Sequence, residues 1–358
     1  MRVAAFITSH GFGHAGRASA VLDALHARRP DLAVDLYTEV PDAFLRSSLR
    51  APYRRIASAS DVGMVQHGPF EADLEATAAA VTAFLSGLDD AAGAAAARLA
   101  ADGCRAVLCD ISPLGIVAAA RAGLPSVLIE NFRWDWIYAG VERAPAALLE
   151  SGRRLAEIYR RADLHVQVAP ACDRIQRAVQ VELPVARGAR GTRAAVRATL
   201  GIAADETVVV VTTGGVPGAQ PWLAELRRRP DITFVVTGAD RSGRAGNLLR
   251  IQADAPLYLP DLLLAGDAVV AKLGYSTVAE SWRAGLPLLR IPRRQWPEGE
   301  VLSAWAAAHV AGMELDEPAF QGGAWVDRVD ELLALPRAAA RERAGQEDVA
   351  DAILTLWG

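Results

Sequence analysis

Short unbroken apolar runs alternate along this chain with longer stretches in which apolar residues recur every three or four positions. The runs Val3–Thr8, Ala33–Tyr37, Ala106–Asp110, Ser126–Ile129 and Leu164–Val168 read as strands. Helical patterns lie between them, starting with Ala18–Ala27 and including a long alanine-rich one from Leu74 to Ala101. Apolar strands alternating with helices predict a parallel sheet covered on both faces.

The pattern breaks at Leu183–Arg197, where glycine, proline and spaced arginines predict a linker whose arginines are solvated. The alternation then restarts. Thr207–Thr212, Thr233–Thr237, Asp267–Ala271 and Leu286–Ile291 read as strands, with a helix over Val278–Ala284. A last helix, from about Arg337 to Leu356, is placed to pack on either half. The expected fold is α/β, with two doubly wound, Rossmann-like parallel-sheet domains. The expected divisions are 1–185, 186–335 and a C-terminal helical segment 336–358 that can pack back on the N-terminal domain.

Length agrees with two domains, since 358 residues exceed what one ordinary core supports. A hydrophobic content of 52% fits a compact globular protein, and a net charge of −4 argues against nucleic acid as the partner. Cys104, Cys109 and Cys172 offer neither a disulfide framework nor a paired metal motif, so a reducing cytoplasm is the expected compartment. The N-terminus does not read as a signal peptide, and no apolar stretch reaches the roughly 18 residues that span a bilayer. Peripheral membrane contact and a homodimer both remain compatible with the chain. Of 38 basic residues only Lys272 is a lysine, so arginine abundance reflects composition and is no sign of phosphate binding.

The richest chemistry lies in the loop Ser9-His10-Gly11-Phe12-Gly13-His14-Ala15-Gly16-Arg17, between the first strand and its helix. Backbone N–H groups and a helix N-terminus face a ligand in that geometry, and glycines admit it closely. His14 supplies a base; Gly13 and Arg17 are candidates for phosphate or cleft contacts. The spacing matches neither the dinucleotide fingerprint nor a Walker loop. The structural alternative is a tight turn whose histidines cap or underpin the helix.

A second turn, Gly274-Tyr275-Ser276-Thr277, opens a helix in the C-terminal half, with Ser276 and Thr277 placed as caps or anion contacts. Glu280, one turn on, reads either as a ribose ligand or as the partner of Thr277 in a capping box. Thr213-Gly214-Gly215 forms a third turn at the same sheet edge.

The stretch Gly274–Ser281 followed by Ala284-Gly285-Leu286-Pro287 resembles the donor half of GT-B glycosyltransferases of the MurG type. Ser9–Arg17, Ile129–Ala139 and Ala271–Glu280 with Pro292-Arg293-Arg294 resemble more closely the glycosyltransferase-like N-terminal region of plant arabinokinases. That similarity reaches to about residue 315 and takes in none of the sugar-kinase part, so the resemblance does not imply kinase activity. Gly13-His14-x-x-Arg17 is also similar to sugar-nucleotide hydrolases of the PseG type. The resemblance implies a GT-B fold with the acceptor in the N-terminal half and a nucleotide-diphosphate sugar, UDP- or dTDP-linked, in the C-terminal half. It implies no cofactor and no metal. Glu280 would hold the ribose, Gly274, Ser276 and Thr277 the diphosphate, Gly214 and Gly215 its border, and Leu259 the base. Gln295, Glu298 and Glu300 fall where the family contacts the donor sugar, although its usual Asp-Gln pair is missing here.

The mechanism expected is inverting displacement, with His14 as base and Asp110, at a strand end, as its orienting partner. Asp110 reads equally as a cap for the helix near Pro113. Lys272 or Arg17 would help stabilise the departing diphosphate. Asn131 and the run Trp134-Asp135-Trp136-x-Tyr138 are candidate acceptor contacts, with core packing as the structural alternative. His67 is a possible acceptor-loop residue that nothing local supports. A hydrolase using water and a non-catalytic sugar-nucleotide-binding module stand as alternatives.

Overall fold

A computed structural model describes residues 1–214, 219–252, 255 and 258–358. Two seven-stranded sheets organise the chain. The first contains β1 (Arg2–Ile7), β2 (Ala33–Tyr37) and β3 (Tyr53–Ile56). A small hairpin of β4 (Val65–Gln66) and β5 (Ala72–Asp73) stands apart from it. The sheet continues through β6 (Val107–Asp110), β7 (Ser126–Glu130), β8 (Leu164–Val168) and β9 (Val179–Val181). Its order is β3-β2-β1-β6-β7-β8-β9, parallel throughout.

The second sheet contains β10 (Thr207–Thr212), β11 (Ile232–Ala239), β12 (Gly243–Ala245), β13 (Leu248–Gln252), β14 (Ala268–Lys272), β15 (Leu288–Ile291) and β16 (Gly312–Glu314). Its order is β12-β13-β11-β10-β14-β15-β16, with only the short β12 antiparallel. The doubly wound α/β expectation is met, with strand order reversing between β1 and β6 and between β10 and β14. Ligands of open parallel sheets bind outside the carboxyl ends of the strands at such reversals.

The central strands are buried on both faces, which explains their uninterrupted valine, alanine and isoleucine runs. The C-terminal helix Gln346–Trp357 is shorter than expected, and residues 337–345 before it are not helical. Its Val349, Ala350 and Ile353 share a core with Val21, Leu22 and Leu25 of the first helix, so the chain returns to the N-terminal domain.

The predicted linker departs most from expectation. Thr192 caps a helix over Arg193–Leu200 inside it, and none of its arginines is fully exposed. Arg187 and Arg197 are buried. Arg190 donates to the Ser47 and Ser48 carbonyls at 2.6 and 2.7 Å, tying the segment to the end of helix Asp42–Ser48. Cations at a helix C-terminus satisfy carbonyls that have no partner within the helix.

Candidate active site in the interdomain cleft

A cleft of about 400 Å³ lies between the carboxyl edges of the two sheets. His10, Gly13, His14, Arg17 and Asn131 line it from one side; Gly214, Leu259, Lys272, Gly274, Ser276, Thr277 and Glu298 line it from the other.

The register Ile7↔Asp110 sets the loop after β1 beside the end of β6. The first helix begins at Phe12, six residues earlier than the apolar pattern indicated, so His14 and Arg17 stand on one helical face a turn apart. His14 Nδ1 lies 3.0 Å from Asp110 Oδ1. Arg17 grips the same carboxylate from Nε at 2.8 Å and Nη2 at 2.7 Å. Its Nη1 donates to Asn131 Oδ1. Arg17 is therefore committed to Asp110 and Asn131; the free phosphate contact expected of it is replaced by a buried clamp. Asn131 in turn donates to the Val168 carbonyl at 2.8 Å. It orders the cleft wall through partners that its side chain already has.

An ionised carboxylate only accepts hydrogen bonds, so the Asp110 contact assigns the proton to His14 Nδ1 and leaves Nε2 unprotonated. Arg17 Nη2, though 3.0 Å from Nδ1, then directs its hydrogen to Asp110. Burial, with the Arg17 and Arg293 charges, lowers the His14 imidazole in spite of the hydrogen bond and charge of Asp110. Burial alone would raise Asp110, but the Arg17 charge and the His14 and Arg17 hydrogen bonds hold it below its ordinary value. The result is a neutral imidazole beside an ionised carboxylate. The helix cap that competed for Asp110 belongs instead to Ser112, whose Oγ accepts from Gly115 N at 3.2 Å. Ile111 between them has φ of 44°, a conformation rarely taken by a β-branched residue. Such strain persists only where the surroundings enforce it; here the Ile111 carbonyl is held by Tyr159 Oη at 3.0 Å.

Asp61 had no sequence signal, lying in an unpatterned stretch, yet it is buried beside this group. Trp134 Nε1 donates to its Oδ2 at 2.7 Å. Burial pushes its carboxyl up to about 7, against hydrogen bonds from Thr8 and Trp134 and with a further push from Asp110. This contact also corrects the reading of the aromatic run. Trp134 and Tyr138 are buried in the core, and Tyr138 Oη donates to Val62 O at 2.7 Å. Trp136 packs against the same core, and Asp135 pairs with Arg133 at 3.0 Å. None of Trp134, Asp135, Trp136 and Tyr138 lines the cleft; Phe132 does. Tryptophan is usually buried, and helical spacing turns Trp134, Ile137 and Tyr138 inward together. His67 likewise stays outside, exposed and 3.0 Å from Asp73.

Across the cleft, the helix Tyr275–Ala284 has Gly274 as its N-cap, with no side-chain cap and no acidic residue in its first turn. The helix Phe12–Arg28 starts the same way, at Gly11. Both therefore direct unsatisfied N–H groups and positive dipole ends toward the cleft. Gly16 makes this approach possible, since a Cβ there would lie 3.2 Å from Ser276 Oγ. Ser276 is not a cap: its Oγ donates to Gly13 O at 2.8 Å, across the seam.

The Thr277–Glu280 capping box does not form. Glu280 Oε1 accepts from Arg187 Nε at 2.7 Å, and Arg187 reaches on to Ser48 Oγ at 2.6 Å. Glu280 lies behind Arg187 rather than on the cleft surface, and its Oε2 is buried without a partner among the described residues. Burial raises its carboxyl in spite of Arg187. Arg187 was missed because its partners lie far along the sequence. Glu298 accepts from Arg293 Nη2 at 2.7 Å, and its other oxygen is buried with no partner among the described residues. Gln295 and Glu300 are exposed and outside the cleft lining. Gly214 has φ of 83°, which suits glycine. Gly215 lies outside the described residues.

No family model matches the chain. It is similar to an L-arabinokinase of Arabidopsis thaliana, with 28% identity over 339 residues, 92% of this chain and 32% of that protein. The chain thus spans about a third of that relative's length. Its structure is similar to the glycosyltransferase SnogD from Streptomyces nogalater, with TM-score 0.60 and 19% identity over 100% of this chain and 99% of that one. It is similar to the glycosyltransferase VinC in complex with DTDP, with TM-score 0.59 and 16% identity over 100% and 95%. It is also similar to Medicago truncatula UGT71G1 complexed with UDP-glucose, with TM-score 0.60 and 13% identity over 99% and 98%. The fold is GT-B: two parallel-sheet α/β domains like those of these glycosyltransferases.

Proposed function

We propose that this protein is a glycosyltransferase that moves a sugar from a UDP- or dTDP-linked donor to a hydroxyl of a small or lipid-like acceptor. The observation that carries the reading is one cleft with two opposed walls. One presents a neutral imidazole held by a carboxylate; the other presents an uncapped helix N-terminus beside Lys272. His14 Nε2 accepts the acceptor hydroxyl proton as the acceptor oxygen bonds to the anomeric carbon. The bond from that carbon to the diphosphate breaks, and its electron pair leaves with the diphosphate. Asp110 stabilises the imidazolium that forms, and the N–H groups at Gly274–Thr277 meet the departing charge. Attack opposite the leaving group inverts the anomeric centre. The chemistry needs no metal when a helix dipole and an ammonium take that charge. The fold shared with glycosyltransferases in complex with DTDP and with UDP-glucose supports these two donor classes.

Thermal-shift screening against UDP, dTDP, GDP, ADP and their sugars tests the donor site, because a ligand of the folded state raises its apparent stability. Stabilisation by a uridine or thymidine diphosphate is expected. Nucleoside diphosphate release from that donor should then depend on an added alcohol or phenol. Release at the same rate in water alone would replace the transferase by a hydrolase. No shift with any nucleotide would overturn the donor assignment.

A further inference from the structure

Lys272 ends β14 at the strand reversal, is 8% exposed and lines the cleft. It makes no hydrogen bond or ion pair among the described residues. A largely buried lysine whose ammonium has no protein partner is costly to keep charged, and such groups either find an anion or lose their proton. The charged groups around it come from three other elements. Arg293, in the loop after β15, repels it; Glu298, on helix Pro297–His309, attracts it; His10, in the loop after β1, is near enough to feel its charge. Glu298 is already engaged by Arg293. The N–H groups of the Gly274 turn add positive potential from Lys272's own segment. Burial, then Arg293, lower its ammonium to about 7.

We propose that the nucleoside diphosphate of the donor enters this cleft together with a proton, which Lys272 takes up as the phosphates arrive. The inference rests on the donor reading above and adds a regulatory property to that site. In the ligand-free protein near neutrality, the amine carries its proton only part of the time. A diphosphate beside it supplies the missing counter-charge and restores the ammonium. The proton comes from solvent and stays on Nζ until the diphosphate leaves. Donor affinity therefore falls as pH rises above neutrality, although the donor's own charge does not change there. A single lysine in an arginine-rich chain makes chemical sense at this position, because a guanidinium stays charged at any working pH and an amine does not.

Isothermal titration calorimetry of the whole chain with UDP-glucose and, in parallel, dTDP-glucose tests this. Neither diphosphate linkage exchanges a proton near neutrality. Titrations in HEPES and in Tris at equal pH separate the binding enthalpy from that of proton exchange. The expected uptake is about half a proton near pH 7 and close to one near pH 8, with Kd rising about tenfold per unit above that range. Lys272→Arg should bind with a Kd nearly independent of pH and with no difference between buffers. Lys272→Met should also lose the difference while binding more weakly. Equal enthalpies in the two buffers for the unmodified protein would overturn the proposal. So would undiminished uptake in both variants, which would assign the proton to Glu280, Glu298 or His10. Failure of both nucleotides to bind the unmodified protein would instead overturn the donor reading, and this inference with it.

Discussion

At the N-terminal strand reversal, His14, Arg17 and Asp110 all find partners within their own domain, and Asn131 completes the set. At the C-terminal reversal, among the described residues, Lys272 has no partner and Glu280 and Glu298 each keep one buried oxygen unpaired. The two halves share a strand, a glycine turn and an uncapped helix. They differ in what is left unsatisfied. A closed set of hydrogen bonds fixes one tautomer and one ring orientation, which a base requires. An ammonium on the cleft wall without a protein partner is a group that an anionic ligand completes, whereas the Glu280 oxygen lies off the cleft. On the proposed reading, the first wall holds a proton in place and the second receives the donor.

The contrast is broken most forcefully at His14. His14→Ala should lower the transfer rate by about 10²–10⁴-fold, the range of a lost general base, while donor affinity by calorimetry stays within a fewfold. Comparable loss of affinity would place His14 in donor binding instead.

Stability measurements sharpen the contrast next. Arg17→Met leaves the Asp110 carboxylate buried beside one neutral imidazole, and removal of one partner of a buried pair costs about 3–5 kcal/mol. Lys272→Met should act in the opposite direction and raise stability in the absence of ligand. The sign follows from the lowered ammonium: the unfolded chain holds a proton that the folded state tends to shed, so the unmodified protein gains stability as pH rises from about 7 toward the ordinary lysine value. The advantage of the methionine variant is thus full below about pH 7 and shrinks above it. Urea unfolding near pH 6 and pH 9 checks both variants. Destabilisation by Lys272→Met at both would mean that the lysine has a structural partner.

Asp61 is the exception on the N-terminal side, a carboxyl raised where its neighbour Asp110 is lowered. The folded state keeps a proton that the unfolded chain has already released. Stability is accordingly lost as pH rises from the ordinary carboxylate value to about 7, and is flat above. Asp61→Asn retains an acceptor for Trp134 Nε1 and removes the titrating group. It should gain about 1–3 kcal/mol near pH 8 and little near pH 4. A pH-independent difference in urea midpoints would show that Asp61 is ionised throughout.

How much of this could be read from the chain depends on the distance each residue had to look. The strands β2, β8 and β10 and the long helix Leu74–Ala101 fall where the apolar pattern placed them, because burial on both faces writes itself locally. Asp110 was legible because strands β1 and β6 end at one sheet edge. The edge strands β3, β9 and β16, of three or four residues, carry too little periodicity to stand out. Arg187 looked like one arginine among many, since its partner Glu280 lies 93 residues away. Trp134 carried an ambiguity that composition cannot lift: a tryptophan suits a sugar platform or a core equally well, and only the position of Asp61 decides it.

The smallest effect concerns Ser276, which the sequence assigned to the diphosphate and the structure places on Gly13. Its Oγ donates across the seam at 2.8 Å. The hydroxyl can keep that bond and still accept one from elsewhere, but it cannot donate to both Gly13 and a phosphate oxygen. A seam role and a phosphate role therefore make different demands on Ser276→Ala. Loss of the seam bond alone should cost about 0.5–1.5 kcal/mol of stability and leave the donor Kd nearly unchanged. Loss of a phosphate contact should spare ligand-free stability and weaken UDP-glucose and dTDP-glucose binding severalfold. The first outcome is expected, because the Gly13 carbonyl is already in place and the backbone N–H groups at Gly274 can meet the phosphates without the hydroxyl. The second would move Ser276 onto the ligand-receiving wall and leave the packing of Gly13 and Gly16 to hold the two helix ends together.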